Sequence, residues 1–232
     1  MKESRKTILK LLFGILTTCL ILYLGISAGN KASAGKQTAF MKDWASHYIG
    51  YVSAGGHLRS EEFGRRLSVA ALSRTRANVR YDGSYFKIPY PGGDVPSNVG
   101  VCTDVLIRSY RKLGIDLQKN VHEDMKSHFE LYPKLWGLRS TDTNIDHRRV
   151  PNLMVFFSRK GLVLPITHRP QDYQPGDIVA WNYYGLTHIG IVSNKLSRDK
   201  DRYMIVHNFG AGPKLEDFLF SYEIIGHFRY EG

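Results

Sequence analysis

The chain has 232 residues, 43% of them hydrophobic and 12% aromatic, and a formal charge of +11. That apolar content excludes a disordered polymer, the length suits one domain with a real core, and two cysteines exclude a disulfide-stapled scaffold. The positive charge predicts attraction to polyanions, and without a recognition motif nucleic acid is not among the expected partners.

Met1 to Lys10 carries Lys2, Arg5, Lys6 and Lys10 against Glu3, and no charge occurs from Leu11 to Ala28. A positive flank before an apolar core predicts an export signal, with Ala32-Ser33-Ala34 as an A-x-A cleavage site. The core also reaches the lower end of what spans a bilayer, so retention as an N-terminal anchor through residues 11–28 is the alternative. Either way the body is expected in the periplasm or cell envelope. There the available polyanions are wall polymers and anionic lipid headgroups, so a membrane surface is a second candidate partner. The organisation expected is a signal or anchor over 1–34, a helical extension over 35–80 and a catalytic domain over 81–232.

Gln37 to Tyr51 and Ser60 to Val79 have helical periodicity; in the second, Phe63, Leu67, Ala70, Ala71 and Leu72 share a face. Tyr81 to Val101 is dense in Gly and Pro and reads as a loop. From Cys102 the apolar positions Val105, Leu106, Tyr110 and Leu113 recur at helical spacing until Gly114 ends the run. Gln118 to Leu131 predicts another helix, and Pro151 opens a short one through Arg159. The period then changes. Asp177–Trp181, Thr187–Ser193, Arg202–Asn208 and Tyr222–Tyr230 are rich in β-branched and aromatic residues, which predicts strands in an antiparallel meander. Helices first and strands last make an α+β pattern.

Outside the apolar N-terminal run the chain has one cysteine, Cys102, in Val101-Cys102-Thr103-Asp104. A thiol at the first turn of a helix gains from the positive end of the dipole and from unpaired N–H groups, while Asp104 opposes its ionisation. His188, in Thr187-His188-Ile189-Gly190, and His207, in Ile205-Val206-His207-Asn208, follow on strands. Nucleophile, base and orienter are what an acyl-enzyme mechanism needs, and an imidazolium at His188 is expected to lower the thiol pKa. Buried-core roles remain open for all three. A zinc site is disfavoured, since no CxxC or HxxxH pairing occurs; no metal or cofactor is expected.

Ile88-Pro89-Tyr90-Pro91-Gly92-Gly93, Cys102, and Arg111-Lys112-Leu113-Gly114-Ile115-Asp116-Leu117 together resemble the start of the NlpC-type cell-wall peptidase domain. Gln174-Pro175-Gly176-Asp177-Ile178-Val179, Thr187 to Val192 and Met204 to His207 are similar to its later strands. Val101-Cys102-Thr103-Asp104, Asp146-His147-Arg148-Arg149 and Gly226-His227-Phe228-Arg229 resemble a bacterial subgroup, domain of unknown function 1287. The likeness implies a papain-like α+β fold in which Cys102, His188 and His207 form a triad and Tyr90 lines the groove. The substrate it implies is a peptidoglycan stem peptide or another anionic envelope polymer. Asp104, Arg148, Arg149 and Asn208 are further candidates for substrate contact, the two arginines as a bidentate carboxylate clamp. Against the family's usual Asp-Cys-Ser-Gly, this chain has Val-Cys-Thr-Asp. An acyltransferase on the same scaffold, or an inactive wall- or membrane-binding module, therefore stays open.

Overall fold

The computed structural model describes residues 58–232. The export segment and the helix expected over Gln37–Tyr51 lie outside the described residues. Four α-helices form: α1 over 58–74, α2 Cys102–Lys112, α3 Leu117–Ser127 and α4 Val150–Lys160. A short parallel pair, β1 Arg80–Tyr81 and β2 Val99–Gly100, precedes α2. The main sheet has six antiparallel strands in the order β3-β8-β4-β5-β6-β7: β3 Leu162–Val163, β4 Ile178–Tyr183, β5 Leu186–Leu196, β6 Tyr203–Asn208, β7 Pro213–Glu216 and β8 Glu223–Arg229.

This is the α+β architecture expected, a cysteine-headed helix packed on an antiparallel sheet, but four short strands (β1, β2, β3 and β7) are additional, the helix expected over Ser60–Val79 ends at residue 74, and two further features differ. The meander runs through β4, β5, β6 and β7, and β8 then crosses back to pair with β4. The helix expected over Gln118–Leu131 ends at Ser127, because His128 leaves helical geometry at φ −142°, and a 3₁₀ turn follows.

Period-2 alternation divides the sheet between two apolar layers. Ile178, Ala180, Ile189, Ile191, Val206 and Phe228 join Leu106, Tyr110 and Phe157 from the helices. Val179, Trp181, Val192 and Ile205 face the other way, under Tyr173, Phe218 and Leu219. Leu67 and Ala71 of α1 belong to the same core cluster as Cys102. Gly64 lets α1 lie directly on the Pro175–Gly176 turn, where a Cβ would collide with the Pro175 carbonyl.

The Gly-His-Phe-Arg motif of β8 has a structural role. Asp177, fully buried, takes Arg229 Nε and Nη2 at 2.7 and 3.1 Å and lies 3.1 Å from His227 Nε2. His227 Nδ1 meets the Pro165 carbonyl at 2.9 Å, and the ring stacks on Tyr173 at 4.2 Å. A buried charge is tolerated only when paired in this way, and here every polar atom of the imidazole is consumed.

Candidate active site

Val101 is extended (φ −120°, ψ −171°) and Cys102 opens α2. The Val101 N–H is captured at 2.7 Å by Asp104 Oδ2, which satisfies one donor that a helix start leaves orphaned. The opposite edge of the same carboxylate is held by Arg148, with Nε 3.0 Å from Oδ1 and Nη2 3.0 Å from Oδ2. Arg148 also donates to the carbonyls of Ser84 (3.1 Å) and Asp82 (3.3 Å). One buried ion pair thus locks the helix headed by Cys102 to the loop that follows β1.

The Cys102 thiol is buried, with the backbone N–H groups of Ile189, Thr103 and Cys102 itself near enough to favour its thiolate. Burial pushes it up to about 12, with the Asp104 carboxylate adding to the rise and the three N–H groups opposing it. The lowered pKa expected from the sequence is therefore corrected: desolvation outweighs the helix terminus. Its contact with β5 is made at the end of the sheet where β5 and β6 part, since their pairing begins at Ile191↔Val206.

His188 and His207 project on the Trp181 side of the sheet, and His188 Nε2 lies 2.9 Å from His207 Nδ1. Gly190 makes this approach feasible, because a Cβ there would meet Ile205 Cγ2 at 2.7 Å and His207 Cβ at 3.1 Å. On its far side His207 Nε2 is 3.0 Å from Glu216 Oε2, a close charge contact that is not aligned as a hydrogen bond. Burial pushes His188 down to about 3, with His207 adding to the fall. His207 is pushed down to about 4, burial outweighing Glu216. Both rings are therefore neutral at pH 7. With Nε2 of His188 given to His207, Nδ1 is the nitrogen of that ring left over.

The two histidines are thus brought together and the thiol is set against the same strand. The other candidates are placed differently. Asp104 and Arg148 are 3% and 6% exposed and spend their charges on each other. Arg148 is buried with its Nε–Nη2 edge filled by Asp104, so this edge is not offered to a substrate carboxylate in this arrangement. Arg149 lies with its guanidinium 3.8 Å over the Trp136 ring. Asn208 is 1% exposed and ties the end of β6 to the Gly100 carbonyl at 3.2 Å, a tether rather than a substrate contact. Tyr90 packs edge-on against His122 of α3 at 5.1 Å.

Two neighbours escaped the sequence reading. Tyr81 pairs with Gly100 in the strand register, two residues before Cys102, and burial raises the pKa of its phenol, with Cys102 and Asp104 adding to the rise. Glu216 sits on β7, whose four residues beginning with Pro213 carry little strand signal.

A cysteine-headed helix on an antiparallel sheet, with a histidine pair at one end of that sheet, defines the class of this molecule. The chain belongs to the family described as Domain of unknown function (DUF1287), whose model matches residues 68–230. It is 52% identical over 165 residues to the uncharacterized protein YijF of Escherichia coli (strain K12), spanning 71% of this chain and 80% of that one. Among solved structures, NlpC1 from Trichomonas vaginalis aligns with 72% of this chain at 14% identity and a TM-score of 0.38; the match spans 44% of that protein. An N-acetylmuramoyl-L-alanine amidase from Bacteroides uniformis aligns with 72% of this chain and 98% of its own at 13% identity and a TM-score of 0.41. Likeness this remote says nothing about activity.

Proposed function

We propose that the protein is an exported thiol amidase or peptidase of cell-wall peptides, with Cys102 as nucleophile, His188 as base and His207 as orienter. The observation that carries this reading is the 2.9 Å contact between His188 Nε2 and His207 Nδ1. It sets the tautomer of one imidazole with the other and leaves Nδ1 of His188 to take a proton from a thiol held against the next peptide of β5. Because thiol and imidazole are both neutral at rest, the proton moves as the sulfur attacks the amide carbonyl. His188 then returns it to the leaving amine, and water releases the acyl group from sulfur. The backbone N–H groups at the start of α2 are suited to hold the tetrahedral oxyanion. Glu216, beside His207, favours positive charge on the histidine pair while the base is protonated. Export follows from the N-terminal sequence pattern, and the +11 charge suits an anionic wall polymer.

The test is to incubate the purified domain, and its Cys102→Ala and His188→Ala variants, with a muropeptide digest and identify products by mass. The reading expects a peptide or amide bond cleaved by the wild type alone. Cleavage that survives Cys102→Ala would overturn it.

A further inference from the structure

The turn after β7 is pinned from two sides. Arg202 Nε and Nη2 hold the two oxygens of Asp217 at 2.7 and 2.6 Å, and Trp181 Nε1 donates to the Leu219 carbonyl at 2.9 Å. Between these fixed points the Ser221 N–H closes on the Phe218 carbonyl at 3.0 Å, and the Phe218 ring is turned inward, only 8% exposed. It packs against both imidazoles, its centroid 4.2 Å from that of His207 and 5.6 Å from that of His188. Trp181 meets it edge-on at 5.2 Å, and Tyr222, which precedes β8, lies 5.4 Å away. A Cβ on Gly190 would come within 3.1 Å of His207 Cβ, so the bare backbone there makes the room that His207 fills. The His207 side chain is thus bounded by Gly190 and by the Phe218 ring.

We propose that Phe218 is a positioning residue for the histidine pair, a dry cap that holds His207 against His188 and keeps water out of the contact between them. A neutral imidazole has one donor and one acceptor, so two such rings stay joined only while their tautomers are complementary. Water at either nitrogen competes for the same donor or acceptor, and the cap removes that competitor. It also denies the pair the solvent that would stabilise a charge, in keeping with the burial that pushes both rings down. The charged groups facing the pair are Glu216 and Lys214 of β7, which act on His207 in opposite directions; Asp217, beside Phe218, is taken by Arg202. β4 and the segment after β6 present the rings of Trp181 and Phe209, and α2 brings the Cys102 thiol to the N–H of Ile189. With Glu216 and Lys214 opposed, exclusion of water is the main influence that keeps the pair neutral. The assignment deepens the amidase reading and rests on it for its catalytic meaning, since a base can take the thiol proton only while it is itself neutral.

The experiment follows the ring nitrogens of nitrogen-15 histidine-labelled protein by NMR from about pH 7 to about pH 4. Wild type is compared with Phe218→Ala and Phe218→Leu, and His188→Ala and His207→Ala supply the assignments. In the wild type each ring of the pair is expected to hold a single tautomer and to stay neutral down to about pH 5. Phe218→Ala should raise the proton affinity of the pair roughly tenfold, about one pH unit in its titration midpoint, and mix the tautomers. Phe218→Leu restores apolar cover and should recover most of the wild-type behaviour; Phe218→Val stands in for the alanine variant should that one not fold. On a cleavable muropeptide the same change should move the acid limb of the kcat/KM profile upward. If the wild type cleaves no wall peptide, yet Phe218→Ala alters titration and tautomers as stated, the cap stands and the amidase reading falls. If folded Phe218→Ala keeps the wild-type titration and one tautomer per ring, Phe218 only fills the apolar layer and the inference is overturned, whatever the variant's activity.

Discussion

The sheet carries two buried histidine clusters, and they are built on opposite terms. Around His227, both ring nitrogens are taken, by Asp177 and the Pro165 carbonyl, and Arg229 balances the carboxylate. Around His188 and His207 the rings satisfy each other through one contact, no buried carboxylate charges them, and a nitrogen of His188 is left over. Burial alone therefore does not separate a structural histidine from a chemical one. A fully paired ring can neither take nor give a proton without breaking a contact, whereas a ring with an unspent nitrogen keeps that capacity.

The largest expected effect sharpens that contrast. Cys102→Ala and His188→Ala should each lower kcat by at least about a thousandfold, since members of one catalytic unit fail together, while Cys102→Ala should move the melting temperature little. His227→Ala should behave in the opposite way, leaving Asp177 and Pro165 short of a partner at about 1–3 kcal/mol for each unpaired group. Steady-state kinetics and thermal melts on the three variants decide this; a stable but inactive His227→Ala would erase the distinction.

The Asp104–Arg148 pair comes next. Removing one partner of a buried ion pair strands the other and costs about 3–5 kcal/mol. Asp104→Ala should accordingly lower the urea midpoint substantially, with the loop after β1 loosened and the start of α2 uncapped. If Asp104→Ala melted like wild type but failed to bind substrate, the carboxylate would be a ligand contact after all.

Acid should act through three buried histidines. His188 and His207, with the buried His147 pushed down to about 3, are held below the ordinary imidazole value. The unfolded chain then binds more protons than the folded one below about pH 6.5, so stability must fall as pH drops from there toward 4. Each proton taken up adds about 1.4 kcal/mol per pH unit to that slope. Urea melts across this range should yield a proton uptake near three, reduced by about one in His188→Ala. The same burial predicts a kcat/KM profile that stays flat well below pH 6.5, and alkylation of Cys102 by iodoacetamide at pH 7 that is slower than for free cysteine. Faster alkylation would restore the activated thiolate that the sequence suggested.

The smallest effect belongs to Glu216. Its contact with His207 is close but half exposed, so Glu216→Gln should cost no more than about tenfold in kcat, within the range of one charge-assisted contact. A loss equal to that of His188→Ala would make Glu216 a full member of the unit.

What could be read beforehand follows physical range. The placement of Cys102 at a helix start and of His188 and His207 on strands is legible because these elements are local patterns. The ends of α2 and α4 were visible for the same reason, through Gly114 and Pro151. The partnership of Asp104 with Arg148, 44 residues apart, is not legible, because no local pattern links them. Tyr81 and Glu216 were hidden because strands of two and four residues carry almost no periodicity.

The seating of α1 on the Pro175–Gly176 turn bears on where this protein can be cut. The family match begins at residue 68, yet Gly64 already rests against that turn and Leu67 is fully buried. A chain trimmed at the family boundary would uncover the turn next to Asp177 and open an apolar flank to solvent. The independently stable unit is therefore longer than the stretch its relatives define, and expression plans that start at the match risk aggregation before any assay begins.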